Sequence, residues 1–274
     1  MTPRLPLEVV NLIIDDLAKY NQLSSIKACA LVCHSFLPLC RKHIFASVTL
    51  NARQSSSPTS DDLNHLLSNS PHLAVYILNL DYRLNEKEFV KKRFLWLLPM
   101  FKKLVKLRSL SIIYFLRSSR CKIFDWMSSS GRKVLLPLLH FPTLTSITLK
   151  TIGNFPLADL TGCVNLKKLE FESLECSPNG VGNFSVALPS TSVMLERLVI
   201  NMGSMKLVQK LCHSRRPDGK PIIDFSSLKE IWSDDIHLRS MTELFGMCKN
   251  LHKIILTSMS PPLILPLHSF DLNL

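Results

Sequence analysis

Leu107, Leu110 and Ile112 are spaced L-x-x-L-x-L. The spacing returns at Leu144, Ile147 and Leu149, at Leu166, Leu169 and Phe171, at Leu195, Leu198 and Ile200, and at Leu251, Ile254 and Leu256. Leu228 and Ile231 give a partial copy that ends in Ser233, and Leu73 with Tyr76 to Leu80 reads as a degenerate first copy. In such a unit one leucine turns inward from a loop, and the next two lie on the same side of a short strand, because strand side chains alternate between faces. Each unit has an apolar face that it cannot cover alone. Stacking the units buries that face and predicts a parallel strand edge along a curved solenoid.

Two copies resemble each other more closely. Cys163-Val164-Asn165-Leu166-Lys167-Lys168-Leu169 and Cys248-Lys249-Asn250-Leu251-His252-Lys253-Ile254 share Cys-x-Asn-Leu-x-Lys-apolar, 85 residues apart. The starting leucines, at 73, 107, 144, 166, 195, 228 and 251, are separated by 34, 37, 22, 29, 33 and 23 residues. The pattern resembles the leucine-rich repeat, whose period is roughly 20 to 29 residues, in a divergent and irregular form. The Asn or Cys of that repeat three residues past the strand is replaced here by Phe115, Ile152, Leu174, Gly203, Ile236 and Met259. Glu88 to Leu104, Arg132 to Leu139 and Leu238 to Met247 have helical apolar spacing and are expected to form an outer layer. The rival architecture is a sheet–helix domain without true repeats.

The first 50 residues have a different rhythm. Val9, Val10, Ile13, Ile14 and Leu17 form a double apolar row on a helix whose first turn holds Pro6. After a polar break at Asn21 to Ser25, the residues Ile26, Cys29, Val32, Cys33 and Phe36 predict a second helix, ended by Pro38 at or before Leu37. A third run from Leu39 to Phe45 precedes an extended exit at Ser47 to Leu50. Three helices in so short a stretch bury too little surface to stand alone. Either another chain docks on the wide apolar row of the first helix, or the rest of this chain packs on it.

Leu5-Pro6-Leu7-Glu8-Val9, then Ile13-Ile14 and Leu17, then Ala28 to Phe36, closing with Arg41-Lys42-His43-Ile44-Phe45, is similar to an F-box, in the variant common among fungal F-box proteins. One departure is Phe36, where many F-boxes have Trp. The likeness divides the chain into an F-box at 1–50, a linker at 51–62 and a divergent leucine-rich-repeat-like domain at 63–274. Residues 53 to 62 have no apolar side chain, and Ser60 or Asp61 is placed to cap a short helix through Leu63, Leu66 and Leu67. The resemblance implies a substrate receptor of a cullin-based ubiquitin ligase. The F-box would dock on a Skp-type adaptor, and through it a cullin, while the repeats hold a target protein. By the family pattern Leu5, Pro6, Val9, Ile13 and Leu17, with Val32, Cys33 and Phe36, contact the adaptor or shape the surface that does. Such a receptor is not an enzyme. A scaffold that binds the adaptor without directing degradation would have the same sequence features.

The 33 Lys and Arg against 21 Asp and Glu give a formal net charge of +12, which raises a nucleic-acid reading. The cations lie in short groups mixed with Glu170, Glu172 and Glu175 and without aromatic interleaving, so a solvated surface or an acidic protein partner fits better. Glycine numbers only eight, and no phosphate-cradling, zinc-protease or nucleophile-elbow motif is present, so no cofactor or metal is expected. Cys29, Cys33, His34, Cys40 and His43 match no zinc spacing, and Cys212-His213 beside Arg215 and Arg216 lacks an orienting acid. No apolar run is long enough to span a membrane, and Glu8, Asp15 and Asp16 break any signal-like stretch. With eight scattered cysteines, the chain is expected in the cytoplasm or nucleus.

Overall fold

The computed structural model describes residues 6–51, 59–84, 97–115, 123–127, 130–174, 191–201, 205–234, 238–256 and 263–266. Leu5, most of the expected linker, the stretch from Glu88 to Trp96, and Gly203, Ile236 and Met259 lie outside them.

The chain is mixed α/β. Helices α1 (Leu7–Lys19), α2 (Leu23–Ala30) and α3 (Phe36–Ile44) lead into β1 (Ser47–Asn51), and α4 (Ser60–Asn69) and a 3₁₀ turn (Pro71–Tyr76) lead into β2 (Asn79–Leu84). The sheet continues through β3 (Ser109–Tyr114), β5 (Ser146–Lys150), β7 (Lys168–Glu172), β9 (Arg197–Asn201), β11 (Glu230–Ser233) and β12 (Lys253–Leu256). These eight strands are parallel and lie side by side in chain order, and β13 (Leu263–Pro266) closes the edge antiparallel. Short pairs β4 (Phe124–Asp125) with β6 (Ile152–Gly153), and β8 (Val193–Met194) with β10 (Ile223–Asp224), lie outside the main sheet.

The register aligns the recurring leucines. Leu80, Leu110, Ile147, Leu169, Leu198, Ile231 and Ile254 are cross-strand partners in one row, and Tyr82, Ile112, Leu149, Phe171, Ile200, Ser233 and Leu256 in the next. Every one of them is buried, because a register that put them on the other face would expose the whole set. Ser233 takes a polar place in the second row and is fully buried. Four of the first leucines close a turn onto the residue three before them: Leu107 N–H on the Leu104 carbonyl, Leu144 on Phe141, Leu166 on Cys163 and Leu228 on Phe225. Ile77 does the same to Ala74, and its spacing to Leu80 and Tyr82 matches that of Leu107 to their partners Leu110 and Ile112, so Ile77 and not Leu73 opens the first copy. Leu73 is buried within the preceding 3₁₀ turn. The residue after each first leucine offers one carbonyl to two N–H groups of the next unit. Leu78 thus accepts from Arg108 and Ser109, Arg108 from Thr145 and Ser146, and Thr145 from Lys167 and Lys168. Ala46 begins this ladder by accepting from Leu78 and Asn79, so the division at residue 50 falls inside the first strand of the sheet.

Helices Leu97–Phe101, Ser130–Leu139, Met205–His213 and Leu238–Met247 lie between the strands in the chain. Three of them coincide with the helical spacing in the sequence; Met205–His213 was not anticipated. Asp159, only 5% exposed, takes both Arg132 nitrogens, Nη2 at 2.7 Å and Nε at 2.9 Å, and Trp126 Nε1 at 2.8 Å. That carboxylate ties the connection between β3 and β5 to the connection between β5 and β7. The loop from Ser214 to Pro221 is partly built in. Arg216 is buried, donating to the Thr191 carbonyl and to Asp218, and Arg215 bridges Pro221.

Several local expectations are corrected. Pro6 is the residue before α1 and not in its first turn. Pro38 does not end the second helix: α2 stops at Ala30, and Pro38 sits in the first turn of α3, where its missing N–H removes no intrahelical bond. Val32 and Cys33 therefore lie in the turn between α2 and α3, and Phe36 opens α3. The cap of α4 is Thr59 and not Ser60 or Asp61. Its hydroxyl accepts from the Asp62 N–H, and Asp62 returns the contact to the Thr59 N–H.

Candidate functional site

Helices α1, α2 and α3 close around a small core of Val10, Ile14, Ile26 and Cys40, with Leu17, Cys29, Phe36, Leu39 and Ile44 packed against it. This core is separate from the large one beneath the sheet. The two apolar rows of α1 therefore have different fates. Val10 and Ile14 are sealed inside the trio, whereas Val9 and Ile13, one position earlier on the helix, remain exposed, Ile13 by 48%. Leu7 and Leu12 on the same helix are exposed too, as are Tyr20, Leu23, Leu31 and Val32, the last by 68%. Among the described residues, eight of the thirteen exposed large apolar side chains fall between Leu7 and Val32. Such clustering on a small body differs from the isolated apolar residues of ordinary surfaces.

The anticipated site residues divide by exposure. Pro6, Val9, Ile13, Val32 and Cys33 are exposed, Leu17 and Phe36 are half-buried against the trio's core, and Leu5 lies outside the described residues. Leu17 and Phe36 thus shape the surface from behind. Leu7, Leu12 and Leu31 were not singled out from sequence, because they fall outside the i, i+4 rows that mark a helix face.

A polar clamp holds α1 on α3. Lys42 Nζ and His43 Nε2 both lie 2.7 Å from Asp15 Oδ1, and Lys42 also donates to Asn11 Oδ1 at 2.8 Å. The Lys42 hydrogen bond, with a smaller one from His43, holds the Asp15 carboxyl below the usual carboxylate range against a partial burial penalty. The clamp lies on the opposite flank of α1 from Val9 and Ile13 and leaves that face clear.

A second surface is the open side of the sheet, where the strand residues between the buried rows stand. Three of its cations are matched by carboxylates: Lys150 with Glu170 at 3.2 Å and Glu172 at 2.7 Å, Lys168 with Glu170 at 3.1 Å, and Arg197 with Glu230 at 2.8 Å. The Arg197 guanidinium also lies 5.7 Å from the centroid of the Trp232 ring.

The described residues include no group of three or more His, Cys, Asp and Glu side chains placed to hold a metal. Cys212 is buried, and that burial pushes its thiol up to about 11, the opposite of an activated thiolate. His213 beside it is turned to Glu243, with Nε2 at 2.9 Å from the carboxylate. No helix among the described residues is long and apolar enough to cross a membrane. Neither the known protein families nor the curated proteins contain a match to this chain.

Proposed function

We propose that α1 to α3 form an F-box that docks on a Skp-type adaptor, and that the chain serves as the substrate-recognition subunit of a cullin-based ubiquitin ligase. The observation that carries this reading is the split between the rows of α1. The row that the trio needs for its own core is covered, and the adjacent row of Val9 and Ile13 is left in solvent, as is Val32. Fully burying an aliphatic side chain is worth roughly 1.5–3 kcal/mol, so a handful of half-exposed ones supports a stable apolar contact.

On this reading the remainder of the chain is a divergent leucine-rich-repeat solenoid. The chain-order sheet, the aligned leucine rows and the carbonyl ladder that repeats from Ala46 onward support it. The open side of the sheet then holds the target, and the ligase's conjugating enzyme acts by proximity, with no chemistry supplied by this chain. Charge matching on that side speaks against nucleic acid, because Lys150, Lys168 and Arg197 are already engaged by carboxylates.

The test is capture of a purified Skp-type adaptor by the full chain. Ile13→Asp places a charge at the centre of the apolar contact and is expected to abolish capture while leaving the circular dichroism spectrum unchanged, since Ile13 is half-exposed. A folded Ile13→Asp protein that still captures the adaptor refutes the proposed interface. Target half-life with and without that substitution then separates a degradative receptor from a scaffold, which would leave it unchanged.

A further inference from the structure

Two places ahead of the inward-turning residue of each unit, the chain carries Val75, Val105, Pro142 and Val164 in four successive units, and all four are exposed, Val105 by 59%. Their turns are fastened to one another. The Thr143 hydroxyl donates to the Leu107 carbonyl at 2.7 Å, and Asn165 Nδ2 donates to the Pro142 carbonyl at 2.6 Å. The four residues thus make a ridge along the edge where the strands begin, ending where the next unit places a buried Val193. Around Val105 stand Lys102, Lys106 and Arg108, all exposed and without an ion pair to another described residue. This contrasts with Lys150, Lys168 and Arg197 on the open side of the sheet, which are matched. Glu196, one unit past Val164, is already held by Lys167 at 2.9 Å and Lys229 at 3.0 Å.

Neighbouring strands stack about 4.8 Å apart, close to the 5.4 Å pitch of an α-helix. A helix laid along the ridge therefore sets one side chain per turn against each unit, with its flank over the cations. We propose that this ridge is a docking surface for an acidic amphipathic helix of a partner protein. The occupant follows from charge: unmatched cations bordering apolar side chains fit a helix with an apolar stripe and carboxylates beside it. The site is separate from α1 and does not depend on the adaptor reading.

The full chain is titrated by fluorescence anisotropy with a labelled, staple-locked helical peptide bearing Leu along one face and Glu beside it. A Lys-flanked twin and phosphatidylserine–phosphatidylcholine vesicles serve as the other probes. Saturable binding of the acidic helix is expected, falling with salt. It should weaken by about tenfold or more in Val105→Asp and in the double variant Lys106→Glu, Arg108→Glu, and be unchanged in Ile13→Asp. Because Lys106 and Arg108 are exposed, the double variant decides the matter even if Val105→Asp does not fold. The proposal is overturned if the Lys twin binds as tightly, if the double variant binds like the parent chain, or if vesicles are retained and the acidic helix is not.

Discussion

Asn165 Nδ2 donates a 2.6 Å hydrogen bond to the Pro142 carbonyl, so a side chain of one unit is fastened to the backbone of the unit before it. Asn250 Nδ2 does the same to the Ser226 carbonyl at 2.9 Å. These are the asparagines of the shared Cys-x-Asn-Leu sequence. Its cysteines donate too, Cys163 Sγ to the Leu139 carbonyl of the preceding unit and Cys248 Sγ to the Leu244 carbonyl one helical turn back. The recurrence thus encodes a stacking contact between neighbouring units, with the thiols serving as weak donors to helix carbonyls.

Replacing Asn165 by Ala removes one inter-unit hydrogen bond at an exposed carbonyl that water can reach, and is expected to destabilise the chain by about 1 kcal/mol. Asn165→Asp should cost more, since an ionised carboxylate has no proton to donate and faces the carbonyl acceptor. Urea unfolding midpoints give the order: parent, then Ala, then Asp. An Asp variant as stable as the parent would remove the contact from the account.

The parallel sheet was legible because its signal is repeated. Leu110, Ile147, Leu169, Leu198, Ile231 and Ile254 all announce the same row, and the register bears them out. Single features were harder to place. Pro38 stops a helix or starts one with equal ease, and only the packing of Leu39 and Cys40 under α1 decides that it starts α3. Leu73 and Ile77 are both apolar and both buried, so hydrophobicity could not choose between them as the first position; the register that sets Leu80 beside Leu110 and Tyr82 beside Ile112 does, since it puts Ile77 in the place of Leu107. Asp159 gave no signal, because its partners Trp126 and Arg132 are brought to it only by the stacked connections. On the candidate site, periodicity found Val9 and Ile13 but gave no sign that Leu7, Leu12 and Leu31 are also exposed.

Gly162 lies against His140 so closely that an added Cβ would meet the ring at 2.5 to 2.7 Å. The ring cannot swing away freely. Its Nε2 is 2.8 Å from the Asp159 backbone carbonyl, an acceptor only, so Nε2 carries the proton and donates. Gly162→Ala is therefore expected to displace the ring and break that bond, costing roughly 1–3 kcal/mol. In a His140→Ala background the same substitution no longer meets the ring and should cost much less. Equal losses in the two backgrounds, measured by urea unfolding as a double-mutant cycle, would show that the ring is not what resists the methyl group.

Glu170 stands between Lys150 and Lys168 on the open side of the sheet, 16% exposed. Burial pushes its carboxyl upward, but hydrogen bonds and charge from Lys168 and Lys150 outweigh that, so the net displacement is below the ordinary glutamate range. A carboxyl lowered on folding contributes stability above its unfolded pKa, about 4.3, and loses it as pH falls through the lower folded value. Glu170→Gln is thus expected to cost about 1 kcal/mol at neutral pH, discounted for the partial exposure of Lys168. Below the folded value the parent carboxyl is protonated as well, and the two proteins should converge. Urea midpoints recorded from neutral pH down into the acid range test the sign. A gap that widens on acidification would mean that the lysines do not hold the carboxylate in its charged form.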